Sequence, residues 1–382
     1  MAKLQHQRHA PLSEPAVESA PRPVAVARPF LPPADALRPY LEQMDAARWY
    51  SNFGPLLTRF EERLAARHGE GARVATAVNA TQAITLSLQA MSLPPGALVA
   101  MPSWTFVATA HAVVQAGLTP WFLDVDGDSG MLDPGAVAAQ LHAAPGVVGA
   151  VIPVAAHGLM PNQDAWLAFR ETTGVPVLID AAAAFDCAGE ADLPLCISLH
   201  ATKVLGIGEG GYLASKDQRL VERVRQLSTF GFQGTRDSAF PATNAKLSEL
   251  SAAMGHAALD AWPHDRLRFM RSAQLLKIGL IGLPEVSFQS GWGSDWISSV
   301  CVVTLPAGMA AAAETRLAAD GVQTRRWWGA GCHDSPAFHD CPAADLPTTR
   351  RLAGATLGLP FAVDLEPVEI ERIAASLRSA LA

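Results

Sequence analysis

From about residue 73 the chain alternates short, almost continuously apolar runs with longer stretches of helical period, and this alternation restricts its fold more than any other feature. The runs predict strands over 74–79 (VATAVN), 98–103 (LVAMPS), 118–125 (LTPWFLDV), 149–155 (GAVIPVA), 175–180 (VPVLID), 195–201 (LCISLHA) and 210–215 (GGYLAS). QAITLSLQAM, FVATAHAVVQAG, DPGAVAAQLHAA and QDAWLAFRETTG fit helices between them. Strands that are apolar on both faces and separated by helix-length segments fit a mostly parallel, seven-stranded sheet covered by helices on both sides. The expected class is therefore α/β. In such sheets the site lies outside the carboxyl ends of the strands, which directs scrutiny to Thr81, Trp104 to Phe106, Asp180 and Ser198 to Lys203.

After the helical run DQRLVERVRQL (217–227), the segment STFGFQGTRDSAFPATNAKLSEL reads as a loop crossing a surface, followed by a long linking helix at about 247–278. ISSVCVVTL as a strand, with AAAETRLAADG and PVEIERIAASLRSAL as helices, makes a smaller α+β unit. The expected organisation is a flexible, Pro- and Ala-rich tail over 1–26, a large α/β domain over 27–265 and a small C-terminal domain over 266–382. With 382 residues, 49% of them hydrophobic, the chain can fill such a core. A net charge of -7 without any basic block excludes nucleic acid as an expected partner. No apolar run reaches membrane-spanning or signal-peptide length. Five cysteines in so long a chain make no disulfide framework, which points to the cytoplasm.

Asp180 ends a strand that should be buried, so something cationic or hydrogen-bonding must face it. Lys203, in ISLHATKVLGIGEGG, also leaves an apolar strand, and a buried lysine either pairs with an acid or loses its proton and becomes a nucleophile. One reading is an ion pair that satisfies two buried groups. The other is a pyridoxal phosphate site, in which the lysine forms a Schiff base with the aldehyde and the aspartate keeps the pyridine nitrogen protonated. That chemistry also needs a phosphate cup and an apolar cover. In NATQAITLSL, Thr81 and Gln82 open a helix whose N–H groups suit an anion, and the Ser198 hydroxyl is a second donor; for Thr81 a plain N-cap is the alternative. In PSWTFVATA, Trp104 and Phe106 share a face of an extended segment and offer the cover.

Taken together, RPFLPP, RWYSNFGPLLTRFEERLA, VNATQAITLSLQA, MPSWTFVATAHAVVQAGLTPWFLDVD, GVPVLIDAAAAF, ISLHATKVLGIGEGGYLAS, TNAKLSELSAAMGHAAL and LGLPF occur in an order and spacing that resemble the DegT/DnrJ/EryC1/StrS sugar aminotransferases. The resemblance runs from about residue 27 and implies the fold-type I architecture of pyridoxal phosphate enzymes. It implies Lys203 as the Schiff-base lysine and proton carrier, Asp180 as the partner of the ring nitrogen, and Phe106, with Trp104 as alternative, over the ring. Thr81, Gln82 and Ser198 fall on phosphate contacts, Ala183 near the phenolic oxygen, and Asn244 where relatives reach into the neighbouring subunit's site, which implies a homodimer. Asn52 falls near the entrance, while Arg325 or Arg326 of RRWW, and His333, fall in the substrate region. The implied reaction moves an amino group from an amino acid such as L-glutamate to a nucleotide-linked keto sugar, with a 4-keto-6-deoxyhexose favoured, for a surface polysaccharide such as O-antigen or a glycosylated metabolite.

The chain departs from the family pattern at Ala80 (usually Gly), Lys246 (usually Arg), Ala155 (usually His) and Ala183 (usually Gln). Three competing readings are weaker. Gly206, Gly208 and Gly211 match the dinucleotide pattern GxGxxG, but they lie late in the domain and lead into a strand. CHDSPAFHDC (332–341) collects His and Cys without standard zinc spacing, so no metal is expected. Related dehydratases replace the lysine by histidine, whereas a non-catalytic binding homologue is the reading that the alanine departures keep open.

Overall fold

The computed structural model describes residues 22–382. Most of the expected N-terminal tail lies outside the described residues. At its end Val24 is buried and pairs with Val322, and Ala27 pairs with Phe361, so the chain is anchored to its C-terminal part from there on.

All seven expected strands form, with shorter ladders: β1 (Arg73–Ala77), β2 (Leu98–Pro102), β3 (Thr119–Leu123), β4 (Val148–Val151), β5 (Ile179–Asp180), β6 (Leu195–Ser198) and β7 (Gly211–Ser215). β2 pairs in parallel with β3 and β4, and β5 pairs in parallel with β6. Bridges from Val151 to Val177 and from Val154 to Asp180 join β4 to β5, giving the order β3-β2-β4-β5-β6-β7-β1. β7 alone is reversed, antiparallel to both β6 and β1, because the connection 199–210 returns without a helix. The central strands are apolar on both sides for a physical reason. Val99, Met101, Ile152 and Ile197 are fully buried beneath helices, each contributing roughly 1.5–3 kcal/mol of burial.

Around the sheet run α1 (Ala34–Ala47), α2 (Pro55–Ala65), α3 (Ala80–Ala90), α4 (Val107–Gln115), α5 (Pro134–Gln140), α6 (Gln163–Thr173), α7 (Gln218–Leu227) and the long α8 (Glu249–Gly279). The C-terminal part packs α9 (Ala310–Ala319), α10 (Pro347–Ala355) and α11 (Pro367–Leu381) with an antiparallel sheet of β8 (Ser287–Phe288), β9 (Cys301–Thr304) and β10 (Thr356–Leu359). α8 links the two regions. Gly255 lies so close to Phe60 of α2 that a Cβ would sit 2.4 Å from its ring. Further along, Phe269 packs on Phe361, and the Ser272 hydroxyl donates to the Ala362 carbonyl at 2.5 Å. Among the described residues no helix is long and apolar enough to cross a membrane, and the five cysteines are free.

The N-terminus of α8 also organises the entry loop. Glu249 is buried, and its carboxylate accepts from the N–H groups of Leu56 and Leu57, both at 2.9 Å, thereby capping α2. Gly54 is required beside it, since a Cβ would come within 2.7 Å of that carboxylate carbon. Glu249→Ala leaves two buried donors unsatisfied and is expected to lower unfolding free energy by about 1–3 kcal/mol in urea titrations, with Glu249→Gln losing less. Unchanged stability of the alanine variant would remove Glu249 from this role.

Candidate active site

Asp180 closes β5 in the middle of the sheet, with Val154 paired on one side and Cys196 on the other. Its N–H donates to Pro153 O at 2.9 Å and its carbonyl accepts from Ala155 N at 2.8 Å. The side chain is buried; Oδ2 accepts from the Thr109 hydroxyl of α4 at 2.6 Å and Oδ1 from the Ala182 N–H at 3.0 Å. Burial raises the carboxyl above the usual carboxylate range, while the two hydrogen bonds and the Lys203 charge oppose that rise. The alanine turn that follows is bracketed at its far end. Arg67 lies 4.3 Å over the Phe185 ring, and Asp186 pairs with Arg266 at 2.6 Å and accepts from Ile297 N at 3.0 Å.

Lys203 rides on the connection from β6 to β7. That loop is closed by Leu199 N to Gly210 O (2.9 Å) and Ala201 N to Gly208 O (2.7 Å), and Lys203 N itself donates to His200 O at 2.8 Å. Gly206 fits because a Cβ would approach the Ala201 carbonyl oxygen to 2.8 Å, and Gly208 takes φ 94°. The glycines therefore shape a loop between antiparallel strands and open no dinucleotide-binding helix. Lys203 is half-buried, and burial lowers its ammonium below the usual range, with Asp180 acting in the opposite direction. No hydrogen bond or ion pair joins it to Asp180 among the described residues. The two groups share one end of the sheet without neutralising each other directly.

Sheet register brings the start of α3 to the end of β6. Ala77, Gly211 and Ser198 lie opposite one another across β1, β7 and β6, so the exit of β1 and the end of β6 meet. α3 starts there at Ala80 and is capped by Asn79, whose side chain accepts from Gln82 N at 2.9 Å. The cap is thus Asn79 rather than Thr81, and the Gln82 N–H, expected to face an anion, is already engaged; its side chain donates to Gln115. The first-turn N–H groups of Ala80 and Thr81 have no helical partner. Gly211 leaves room for them: a Cβ there would lie 2.3 Å from Ala80 N. Ser198 is buried, and its hydroxyl accepts from His200 N at 3.2 Å.

The two candidate cover residues differ sharply. Phe106 is 58% exposed at the start of α4, whereas Trp104 is 3% exposed and sits edge-on to Trp328 at 5.3 Å. Trp328 in turn stacks flat on buried His157, 3.7 Å between centroids and 18° between planes. His333 is brought to the end of β2, where its Nδ1 lies 2.7 Å from the Ser103 hydroxyl. No group of three His, Cys, Asp or Glu side chains suited to a metal occurs among the described residues. Arg326 is exposed and pairs with Glu314 of α9 at 3.4 Å; Arg325 is exposed over Trp327. Asn52 is exposed with φ 63° in the entry loop, and Asn244 is exposed with its Oδ1 accepting from Lys246 Nζ. Thr109 and Trp328 were not among the expected site residues, and His157 stands two residues past Ala155, where the family usually has histidine. Their signals in the sequence are the hydroxyl in the first turn of the FVATA helix, the His of PVAAHG and the second Trp of RRWW.

This architecture is the fold-type I one of the pyridoxal phosphate-dependent aminotransferases. A crystal structure from Bacillus cereus named as a PLP-dependent aminotransferase superposes with TM-score 0.87 at 26% identity, over 94% of this chain and all of that one. DesI, solved in the presence of its TDP-sugar product, superposes with TM-score 0.85 at 33% identity, over 94% of this chain and 93% of that one. The UDP-2-acetamido-2-deoxy-3-oxo-D-glucuronate aminotransferase of Pseudomonas aeruginosa is 29% identical over 336 residues, 85% of this chain and 90% of its own. The chain belongs to the DegT/DnrJ/EryC1/StrS aminotransferase family, whose pattern matches residues 34–378.

The raised carboxyl of Asp180 gives the cofactor-free protein a pH signature. A carboxyl raised on folding above the unfolded value of about 3.9 stabilises fully below that value and loses its contribution as pH rises through the folded one. Asp180→Asn is therefore expected to be more stable than the parent at pH 7–8, with the gap closing as pH falls towards ~4. Denaturant unfolding at several pH values checks this; a pH-independent gap contradicts it.

Proposed function

We propose that this protein is a pyridoxal phosphate-dependent aminotransferase that moves an amino group, from L-glutamate, to the keto group of a nucleotide-linked deoxysugar. The observation that carries the reading is the placement of Asp180 and of Lys203, unpartnered among the described residues, at one end of the sheet, beside the first turn of α3, where the Ala80 and Thr81 N–H groups have no helical partner. The residues fit the cofactor. A buried carboxylate suits a protonated ring nitrogen, a lysine without a partner among the described residues suits the aldehyde, and the gap at Ala80 that a Cβ at Gly211 would fill suits a phosphate. When bound, the cofactor accepts electrons from the substrate carbon into its ring.

The chain's own residues divide the remaining work. Asp180 holds a proton at the ring nitrogen, and Thr109 fixes the carboxylate for it. The N–H groups of Ala80 and Thr81, with the Thr81 and Ser198 hydroxyls, bind the phosphate through hydrogen bonds and the helix dipole. Phe106 covers the ring and excludes water. Lys203, its ammonium lowered by burial, takes up and returns the proton at the substrate carbon. His333 and the arginines Arg325 and Arg326 border the substrate side, with Asn52 at the entrance. DesI with its TDP-sugar product and the UDP-sugar enzyme of P. aeruginosa support a nucleotide-linked acceptor. We favour the 4-keto group of a 6-deoxyhexose, the class that the RPFLPP and WYSNFGP segments resemble, serving polysaccharide or glycosylated-metabolite synthesis in the cytoplasm. The working unit is a homodimer in which exposed Asn244 reaches the partner's phosphate.

The purified protein loaded with pyridoxal phosphate is expected to show a visible absorption band that borohydride bleaches and Lys203→Ala lacks. A protein that stays colourless with added cofactor would sink the reading. Asp180→Ala should fold yet slow conversion of the cofactor to its amine form by L-glutamate at least about a hundredfold. For the shared site, Lys203→Ala mixed with Asn244→Ala should regain activity by forming hybrid dimers, and no recovery despite demonstrated subunit exchange refutes it.

A further inference from the structure

One buried polar group of the site has no task in the scheme above. His157 Nε2 is shielded from solvent and has no hydrogen-bond partner among the described residues, although His157 is only 7% exposed and lies close enough to Lys203 to feel its charge. The residue sits in the left-handed region at φ 53°, ψ 10°, a conformation that non-glycine residues hold where their surroundings fix it, often at functional sites. Those surroundings are visible. Trp328 stacks on the ring, and the next residue, Gly158, takes φ 118° with no space for a Cβ, which would lie 2.8 Å from the Ser298 side chain and 2.9 Å from Ala183 O. The imidazole is thus clamped beside the alanine turn that follows Asp180.

The order of strands decides what faces it. From Asp180 on β5, one direction leads through β6, β7 and β1 to Ser198 and the α3 N-terminus; the other leads to β4, and the chain leaving β4 carries His157. Pyridoxal phosphate bears its phosphate arm and its phenolic oxygen on the two ring carbons that flank the aldehyde-bearing carbon. With the ring nitrogen at Asp180, the aldehyde at Lys203 and the phosphate at α3, the phenolic oxygen falls on the β4 side. We infer that His157 is a positioning residue that donates from Nε2 to this oxygen, where Ala183 offers no side-chain donor. The inference rests on the cofactor reading of the proposed function. Burial and the Lys203 charge hold the imidazolium down to about 3, so the ring is a neutral donor across the working range, and Lys203 is the one charged group acting on it among the described residues.

The test uses the full chain loaded with pyridoxal phosphate and reads two properties other than activity: the pH midpoint of the visible band and the cofactor dissociation constant. His157→Phe keeps a ring for Trp328 and removes the donor. Losing a hydrogen bond to the ionised oxygen should raise the midpoint by about one to two units and weaken cofactor binding at least about tenfold, while His157→Gln moves both back towards the parent. Matching midpoints in His157→Phe and the parent overturn the inference while leaving the cofactor reading intact. A parent protein without any visible band overturns both. A second measurement covers a phenylalanine variant that fails to fold: in parent protein with ¹⁵N-labelled histidine, the ring-nitrogen signal that His157→Gln removes should shift on cofactor binding, and an unmoved signal overturns the role.

Discussion

Everything at this site follows from burying one carboxylate at the end of a central strand. Asp180 has a parallel neighbour on each side, so neither its backbone nor its side chain can turn to water. A charge held there needs partners. The protein supplies two hydrogen bonds, from Thr109 and Ala182, and leaves the cation, Lys203, near but unbonded. That partial satisfaction separates a site from a structural ion pair. Three neighbouring strand ends, of β4, β5 and β6, then deliver His157, Asp180 and Lys203 to one place.

The sheet was legible in the sequence because parallel strands buried on both faces leave unbroken apolar runs, and all seven runs form strands. The direction of β7 was not legible. Reversal depends on the connection 199–210 lacking a helix, and the apolar run GGYLAS is the same either way. α1 was not among the expected helices although Leu37, Tyr40, Leu41 and Met44 fall on one face at helical spacing; Pro39 inside it breaks the propensity pattern, and only Leu37 of the four is fully buried. β8 has two residues and no period at all. β10 runs from Thr356 into LGLPF, where a family resemblance was visible but a strand was not.

Within the site, legibility tracked the same boundary between local pattern and tertiary proximity. Asp180, Ser198 and Lys203 announce themselves because each is a polar residue at the end of an apolar run. Donor satisfaction is only partly local: Asn79 takes the Gln82 N–H in an N-cap within NATQ itself, whereas Glu314, on α9, takes Arg326 across two segments. The stack of His157 on Trp328 joins the exit of β4 to the segment before α10, far apart in sequence, and the fold alone reveals it. Trp104 and Phe106 were equivalent as a pair of aromatics. Packing against Trp328 buries the first and leaves the second open.

The alanines that depart from the family pattern look different once their neighbours are known, because small size at this site is a property of pairs of residues. Ala80 stands where relatives usually have glycine, yet it lies in the right-handed first turn of α3 and so carries its Cβ without backbone strain. The close approach that excludes a side chain falls instead on Gly211 across the gap. Ala183 shows the same displacement. Its carbonyl is met by Gly158, whose missing Cβ lets the turn carrying His157 close against it. A function lost from one side chain can therefore return from the facing strand end, provided that the facing glycine lets the two backbones touch. The close fit of Gly158 on Ala183 meets that condition, and it places the clamped imidazole of His157 on the one flank of the site where Ala183 presents no polar side chain.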